Sequence, residues 1–452
     1  MDSIVIGVII TYFAILFIAS FLYKKTREME EFSTAKRTLF APVLMVGLVM
    51  THYGAGFILG GAELGYQYGF QGLVYSGGAA LGILLLGFFI SRRLFKTASK
   101  KNIKTIPELL LQTYRDSRLA LFATILSIIA LMTIVAAQFF ALIGIIESLQ
   151  LPKILIAGAL ALLVGIGASK GIGAVVKLST LHLSIIALGT FFTLWFTSTA
   201  MSSLLKSIIV FDKLSPLAFF NILLPTALYT LIGQDFYQKI FSAKDFKSVR
   251  ASCVYAALVL IVVGAIPVLL GMKTRELVNV NAAAALPSLI LSLLPPLLQG
   301  ILIAAILAAV LGSTQALISA TLSHIAEDIL KVRTSFSKHH RQILLLGAAF
   351  ILPFLALALT LFSNRGIVGI LTMGYTIYTA GMFIPVLLCF YGNRRRMLGK
   401  YIFFSSMLGV VVALLIECRF FSFPLPAIIP AIALEGIFLF VVTYKRLHKK
   451  GL

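Results

Sequence analysis

The chain has 452 residues, of which 60% are hydrophobic and 12% are charged, and its mean hydropathy is +1.03. A soluble protein would carry about twice that charged fraction, and long apolar runs do not fit the alternating strands of an outer-membrane barrel. The composition therefore predicts a polytopic helical membrane protein. The formal net charge of +22 could indicate a nucleic-acid partner, but the positions of the basic residues argue against one.

Thirteen apolar runs each approach the roughly 20 residues that a helix needs to cross a bilayer. They cover residues 3–23, 40–62, 70–91, 118–147, 154–169, 174–197, 216–235, 251–271, 297–325, 342–363, 366–391, 401–417 and 424–444. We number the run 40–62 as span one, which makes 3–23 an extra N-terminal helix. Five spans then lie in 40–197, five in 216–391 and two in 401–444.

Lysine and arginine are unevenly distributed between the loops that join these runs. Alternate loops on one face hold 31 of the 38 basic residues, and we call this face the basic side. Because cytoplasmic loops carry the excess of positive charge, we expect the N-terminus outside and the C-terminus in the cytoplasm of a cell membrane. The basic residues then meet anionic lipid, and we expect a lipid bilayer and no nucleic acid as partner.

Span one contains an irregular segment in residues 45–61, MVGLVMTHYGAGFILGG. Glycine weakens a helix by about 1 kcal/mol relative to alanine, and a Gly-interrupted apolar segment often marks the binding site of a transporter. Small residues also allow membrane helices to pack closely. The segment therefore indicates either a broken helix at a site or a packing seam.

Span six contains a second irregular segment, in which Pro225 and Gly233 interrupt an apolar run. Proline removes a backbone hydrogen bond and clashes with the preceding turn. The two irregular segments lie five spans apart, which is the arrangement expected of two inverted five-helix repeats, each opened by a discontinuous helix. The sequence thus predicts an all-α membrane protein of about 13 helices with repeats at 40–197 and 216–391.

Spans three, eight and twelve carry polar groups at membrane depth. Gln138 can either tie two helices together or face a solute. Span eight is rich in small and hydroxyl residues, including Ser313 and Thr314, which suit either a packing face or a hard cation that prefers oxygen ligands. We expect Glu435 in the last span to face a packing surface, although intramembrane acids are often functional.

Together these stretches resemble the sodium:solute symporter family over nearly the whole chain. The motifs that carry the resemblance are GAGFILGGAELGYQYG (54–69), TIPELL (105–110), AAQ (136–138), GIGAVV (171–176), GQDFYQKIFSAKDFKSVR (233–250) and LAAVLGSTQALISATLSHIAEDI (307–329). The resemblance implies the inverted-repeat fold of sodium-coupled amino-acid transporters. It also implies that Na⁺ is the coupling ion.

The resemblance implies a sodium site between spans one and eight. Backbone carbonyl ligands carry over to Met50, Tyr53 and Ala309, and the paired hydroxyls of the family fall on Gly312 and Ser313. Because Gly312 has no hydroxyl, this chain departs from the family at one ligand, for which Thr314 or water could compensate.

Span five lacks the Thr-Asp pair that serves a second sodium in the family. Leu178 and Ser179 stand at those positions, and His182 replaces a later glutamine. We therefore expect one sodium site and not two.

Substrate positions also follow from the resemblance. They are His52, Gly56, Phe57, Ser76, Gln138, Thr226, Tyr229 and Ala316. The stretch 54–63 is similar to the choline-transporting branch, whose ligand needs an aromatic box, while the positive end of a broken helix suits the carboxylate of a zwitterion such as proline. Sugar transport is poorly supported, because Phe57 and Ser76 replace the Gln and Glu of sugar carriers.

The sequence therefore predicts a sodium-coupled importer of a small organic solute, either an amino acid such as proline or a small amine. Two alternatives remain open. The first is a proton-coupled symporter, because Gly312 lacks a hydroxyl and His52 can titrate near neutral pH. The second is a transporter-like solute sensor. No acids or histidines group within a span as an enzyme would need, so we expect no enzyme. The oligomeric state is left open, a homo-oligomer included.

Overall fold

The structure is a computed structural model that describes residues 2–22, 33–149, 151–204, 212–277, 279–331, 336–360, 366–391, 399–420 and 423–449. These parts of the chain are almost entirely helical. The helices are α1 (Ser3–Leu22), α2 (Ala41–His52), α3 (Gly61–Tyr68), α4 (Val74–Leu85), α5 (Ser91–Lys101), α6 (Ile106–Tyr114), α7 (Ser117–Ser148), α8 (Lys153–Ala168), α9 (Ile172–Leu204), α10 (Pro216–Ile232), α11 (Gln234–Phe241), α12 (Phe246–Leu277), α13 (Ala285–Leu293), α14 (Pro296–His324), α15 (Lys338–Leu359), α16 (Ile367–Tyr391), α17 (Gly399–Glu417) and α18 (Ile428–Lys449).

Each of the thirteen predicted spans coincides with one of these helices or with two in succession. Within the described residues, eight helical segments are long and apolar enough to cross a membrane, and six further apolar helices are shorter. The shorter ones include α2, since the helix of span one ends at His52 and resumes with a π-helical turn at Gly56–Gly60 before α3. The predicted interruption of span one therefore lies at residues 53–55.

Span six is interrupted at Gly233 and not at Pro225. Helix α10 continues through Pro225 to Ile232. Gly233 then adopts an extended conformation, with φ −68° and ψ 139°, and α11 begins at the next residue. The irregularity that matters for the backbone is thus one glycine, while the proline is accommodated within the helix.

Helix α14 lies at the centre of the bundle. In the helical segment Pro296–Leu330, which contains α14, 94% of the apolar stretch that is long enough to cross a membrane is buried. Its closest neighbours are α9, α1 and α7, and it also packs against α2. Small residues permit this close approach, as at Gly167 of α8, which lies directly against the Gln315 side chain. The hydroxyl residues of span eight are therefore in the core, where α14 packs against α2 of span one.

The final two helices, α17 and α18, pack against each other and against α16. Glu435 of α18 is fully buried there and accepts a hydrogen bond of 3.3 Å from the Ser406 hydroxyl of α17. This position agrees with the peripheral packing surface expected for Glu435. On the basic side, Thr105 caps α6 by accepting a hydrogen bond from the Glu108 backbone N–H.

Candidate functional site

The break in span one is held by side chains from two other helices. The Gln138 Oε1 atom of α7 accepts a hydrogen bond of 2.7 Å from the Ala55 N–H, which the break removes from the helical ladder. The His52 Nε2 atom lies 2.8 Å from the Thr230 hydroxyl of α10. Since Thr230 also donates to the Thr226 carbonyl at 2.6 Å, His52 links the end of α2 to the helix that precedes the second break.

Gly54 lies where spans one, three and eight meet. A Cβ atom at this position would collide with the Ser313 hydroxyl and would lie 2.6 Å from Gln138 Oε1. Any larger residue would force the Ser313 hydroxyl and the Gln138 amide to shift, because real Cβ atoms essentially never lie within 3.0 Å of other heavy atoms. The structure therefore brings Ser313 of α14 directly against the broken segment that carries the predicted ligand Tyr53.

Gly312 faces α2 and α9 on the same level of the bundle. The Met50 methyl group and the His182 imidazole both lie within 3.0 Å of where a Cβ at this position would be. Ala309, one turn earlier, is fully buried on the same face of α14. In the last turn of α2, the Val49 and His52 carbonyls accept from the Tyr53 and Gly54 N–H groups at 2.8 Å each, and Met50 lies between them in the chain.

The hydroxyls of Ser313 and Thr314 both donate to the Val310 carbonyl, at 3.0 Å and 2.5 Å. Their oxygen lone pairs remain available to accept or to coordinate. All five predicted sodium positions therefore lie at one junction of α2 with α14.

Six aromatic side chains form a closed ring beside this junction, and we call them the aromatic ring. In order they are His52, Phe57, Tyr75, Tyr375, Tyr229 and Phe236. Neighbouring rings have centroids 4.3–6.2 Å apart, except that Tyr75 and Tyr375 meet through hydroxyls separated by 3.3 Å. Three of the predicted substrate residues thus lie in one ring together with residues of both broken segments.

A buried charged pair lies next to the aromatic ring. The Tyr229 hydroxyl donates to Asp235 Oδ1 at 3.1 Å, and Lys239 follows Asp235 by one turn of α11. Both charged side chains are about 99% buried. Among the described residues, the Lys239 ammonium has no hydrogen-bond partner. The end of span six, at the start of α11, therefore brings the Asp235 carboxyl and the Lys239 ammonium next to the aromatic ring.

The remaining predicted substrate positions differ in their surroundings. Gly56 contacts Tyr75 of the aromatic ring and Leu371, while Ser76 packs on Gly264 of α12 beside Phe57. The Thr226 hydroxyl donates to its own helix at 2.6 Å, and its Cβ faces Gly78 of α4. Thr226 is thus part of a helix–helix contact. Ala316 is buried one turn beyond Gly312.

Three members of this site did not emerge from the sequence. Asp235 and Phe236 lie in the GQDF stretch, and an acid within an apolar region was a usable signal. Tyr375 of α16 lies in an apolar span with no local motif, and only the fold brings it against Tyr229.

A polar network lies between the aromatic ring and the basic side. Glu327 accepts from the Lys104 ammonium at 2.9 Å, the Lys331 ammonium at 3.0 Å and the Ser33 hydroxyl at 3.2 Å. Asp328 accepts from the Thr105 hydroxyl at 2.5 Å and lies 2.7 Å from His324 Nδ1. Outside the spans, burial raises the pKa of the neighbouring Glu108 carboxyl. These contacts join α6 and Ser33 to the turn Ile325–Leu330 that follows α14.

The family model described as the sodium:solute symporter family matches residues 32–409. No curated protein matches the sequence.

Solved structures of transporters are similar to this chain over nearly its full length. A Na⁺-coupled sialic acid symporter in a substrate-bound outward-open state gives a TM-score of 0.77 at 15% identity, with 97% of this chain and 96% of that chain covered. Mhp1, a nucleobase-cation-symport-1 family transporter in a closed conformation with bromovinylhydantoin bound, gives 0.59 at 12% identity, with 92% and 95% covered.

A manganese transporter from Eremococcus coleocola, in complex with an aromatic bis-isothiourea compound, gives a TM-score of 0.55 at 14% identity, with 90% and 95% covered. At these identities the likeness shows the fold, which is the predicted all-helical inverted-repeat fold. Within the described ranges, no three His, Cys, Asp or Glu side chains group as a metal site.

Proposed function

Because the chain belongs to the sodium:solute symporter family, we propose that it imports a small organic solute into the cell with the sodium gradient as driving force. The solute is an amino acid such as proline or a small amine. The repeats at 40–197 and 216–391 rock against each other around a site near the middle of the membrane, as in other inverted-repeat transporters.

One observation carries the proposal: the break in span one lies against Ser313 of α14, and the aromatic ring joins residues on either side of both helix breaks. A hard cation is best served by carbonyl and hydroxyl oxygens. The end of α2 and the Ser313 hydroxyl are the source of such oxygens. The coupling ion is therefore assigned to one site formed by Met50, Tyr53, Ala309 and Ser313, beside Gly312.

The aromatic ring supports an organic solute that carries an ammonium group. Electron-rich ring faces attract cations, by about 0.5–2 kcal/mol for each contact. The Tyr229 and Tyr375 rings stack with their centroids 4.3 Å apart. Asp235, which accepts a hydrogen bond from the Tyr229 hydroxyl, is a polar partner for the ammonium group beside these rings. A carboxylate on the same solute would be favoured by the positive end of the helix that resumes at Gly56.

The test is uptake into proteoliposomes of radiolabelled amino acids and amines, with imposed gradients of sodium or of pH. We expect one of these solutes to accumulate with an inward sodium gradient and not with potassium. Accumulation driven by a pH gradient without sodium would favour proton coupling instead, an alternative prompted by the missing hydroxyl at Gly312. Binding without any accumulation would favour a sensor.

Ser313→Ala reports on the site itself. The variant removes one oxygen from the proposed ion site and leaves the aromatic ring intact, so we expect a higher sodium requirement for uptake. An unchanged sodium requirement would contradict the assignment. Thr321→Ala is the matched control, since the Thr321 hydroxyl donates only to the Leu317 carbonyl of its own helix at 3.0 Å.

A further inference from the structure

The His182 imidazole of α9 lies against Gly312, the position at which the ion site lacks a hydroxyl. A Cβ at residue 312 would be 2.5 Å from His182 Nδ1 and 3.3 Å from its Cγ. Ile186, one turn further along the same face of α9, lines a cavity of about 20 Å³ together with Tyr53. Two successive turns of α9 thus reach the junction of α2 and α14.

A side chain at residue 312 and the His182 imidazole in its present position would occupy the same space. Contacts below 3.0 Å are essentially never made by real Cβ atoms, so a serine at 312 would have to displace the ring. Conversely, glycine at 312 leaves room that the imidazole fills. The ring nitrogen therefore stands in the volume where a hydroxyl on residue 312 would project.

His182 is fully buried, and among the described residues neither ring nitrogen has a hydrogen-bond partner. Buried polar side chains nearly always have partners, and an exception calls for an unseen ligand or water. A neutral imidazole carries one lone pair on a ring nitrogen and a proton on the other. A ligand that accepts this lone pair at Gly312 would lie beside Met50 in the last turn of α2, whose methyl group is 3.0 Å from a Cβ at residue 312.

We propose that His182 is a ligand of the coupling cation, with its Nδ1 lone pair replacing the oxygen that Gly312 lacks. This inference rests on the proposed function, since it adds a donor to the same site. Nitrogen is a softer donor than oxygen, and hard cations prefer oxygen. The site consequently binds sodium less tightly than the same site would with a hydroxyl at 312.

The test is equilibrium binding of radioactive sodium to the purified protein, with His182→Ala, Gly312→Ser and the double variant compared. We expect His182→Ala to weaken sodium binding by at least about 10-fold, since loss of a residue that only orients a metal ligand already costs about 10- to 100-fold. Gly312→Ser alone is expected to lose binding because the serine and the ring collide. The double variant is expected to recover binding, since the serine hydroxyl then occupies the vacated place.

A second substitution guards against a variant that does not fold. His182→Gln keeps a similar volume and offers an amide oxygen, so we expect it to bind sodium at least as tightly as the unmodified protein. The inference is overturned if His182→Ala and His182→Gln both bind sodium unchanged while Ser313→Ala binds it more weakly. Failure of the proposed function would look different, because the unmodified protein would then show no saturable sodium binding.

Discussion

Neutralising Glu327 should open the protein on the basic side. The Lys104–Glu327 pair has side chains that are only 6% and 2% exposed, so the ammonium is held in the core by one carboxylate. Glu327→Gln keeps the shape of the side chain and removes its charge. The Lys104 ammonium is then buried without compensation, but only in the conformation in which the basic side is closed.

The size of the effect follows from this burial. Removal of one partner from a buried ion pair costs about 3–5 kcal/mol. The Lys331 contact adds little, since that side chain is 51% exposed and exposed pairs contribute about 0–1 kcal/mol. If Lys104 regains water when the basic side opens, the cost falls on the closed state alone. An energy of about 3 kcal/mol then shifts the equilibrium toward the open state by more than about a hundredfold.

Cysteine labelling measures this shift. Ser323 is fully buried one turn before Glu327, and its hydroxyl accepts from Gln238 at 2.7 Å. With the three native cysteines replaced, we expect a cysteine at 323 to react with a polar maleimide much faster when Glu327→Gln is also present.

The control is Glu147→Gln, which removes an exposed pair with Lys153 and should leave labelling unchanged. Equal labelling rates with and without Glu327→Gln, in protein that remains folded, would refute the idea that this pair closes the basic side.

Three further substitutions test the broken segment. Gly54→Ala should abolish uptake because its Cβ collides at the junction, whereas Gly77→Ala, which has open space around it, should transport normally; equal loss in both would contradict the packing argument. Gln138→Leu leaves a buried N–H unpaired and should lower stability by about 1–3 kcal/mol in denaturant unfolding, and an unchanged midpoint would argue against the bond. Thr230→Val removes the contact with His52 at nearly constant volume, and we expect several-fold slower uptake; unaltered rates would mean that His52 needs no such partner.

Much of the fold follows from the sequence because its signals are local. Length and hydropathy define each helix, and the family match over residues 32–409 confirms the resemblance read from the motifs. The interruption of span one was predicted from its glycines. In span six the sequence indicated both Pro225 and Gly233 as interruptions, and only Gly233 interrupts the helix. Proline is tolerated within a membrane helix because neighbouring helices and side chains satisfy the backbone groups that it leaves unpaired.

The finer features of the site depend on contacts between distant residues, which one sequence does not encode locally. The glycine at 312 could be recognised as a missing hydroxyl, but nothing in the sequence near His182 indicates that its ring fills that space. Tyr375 likewise joins the aromatic ring only because α16 packs against α10. The surroundings of Thr226 were not evident from the sequence either. The family resemblance assigns Thr226 to the substrate, and in the structure its Cβ faces Gly78, where two helices pack together.

The central claim is that sodium binds where α2 ends against α14, and thermal unfolding tests it most directly. A ligand that binds only the native state stabilises it by about 2.7 kcal/mol at a hundred times its dissociation constant. We predict that the melting temperature of the purified protein rises with sodium and not with equal potassium, and that Ser313→Ala requires more sodium for the same rise. A melting temperature that responds identically to sodium and potassium, or equally in Ser313→Ala, would contradict the claim.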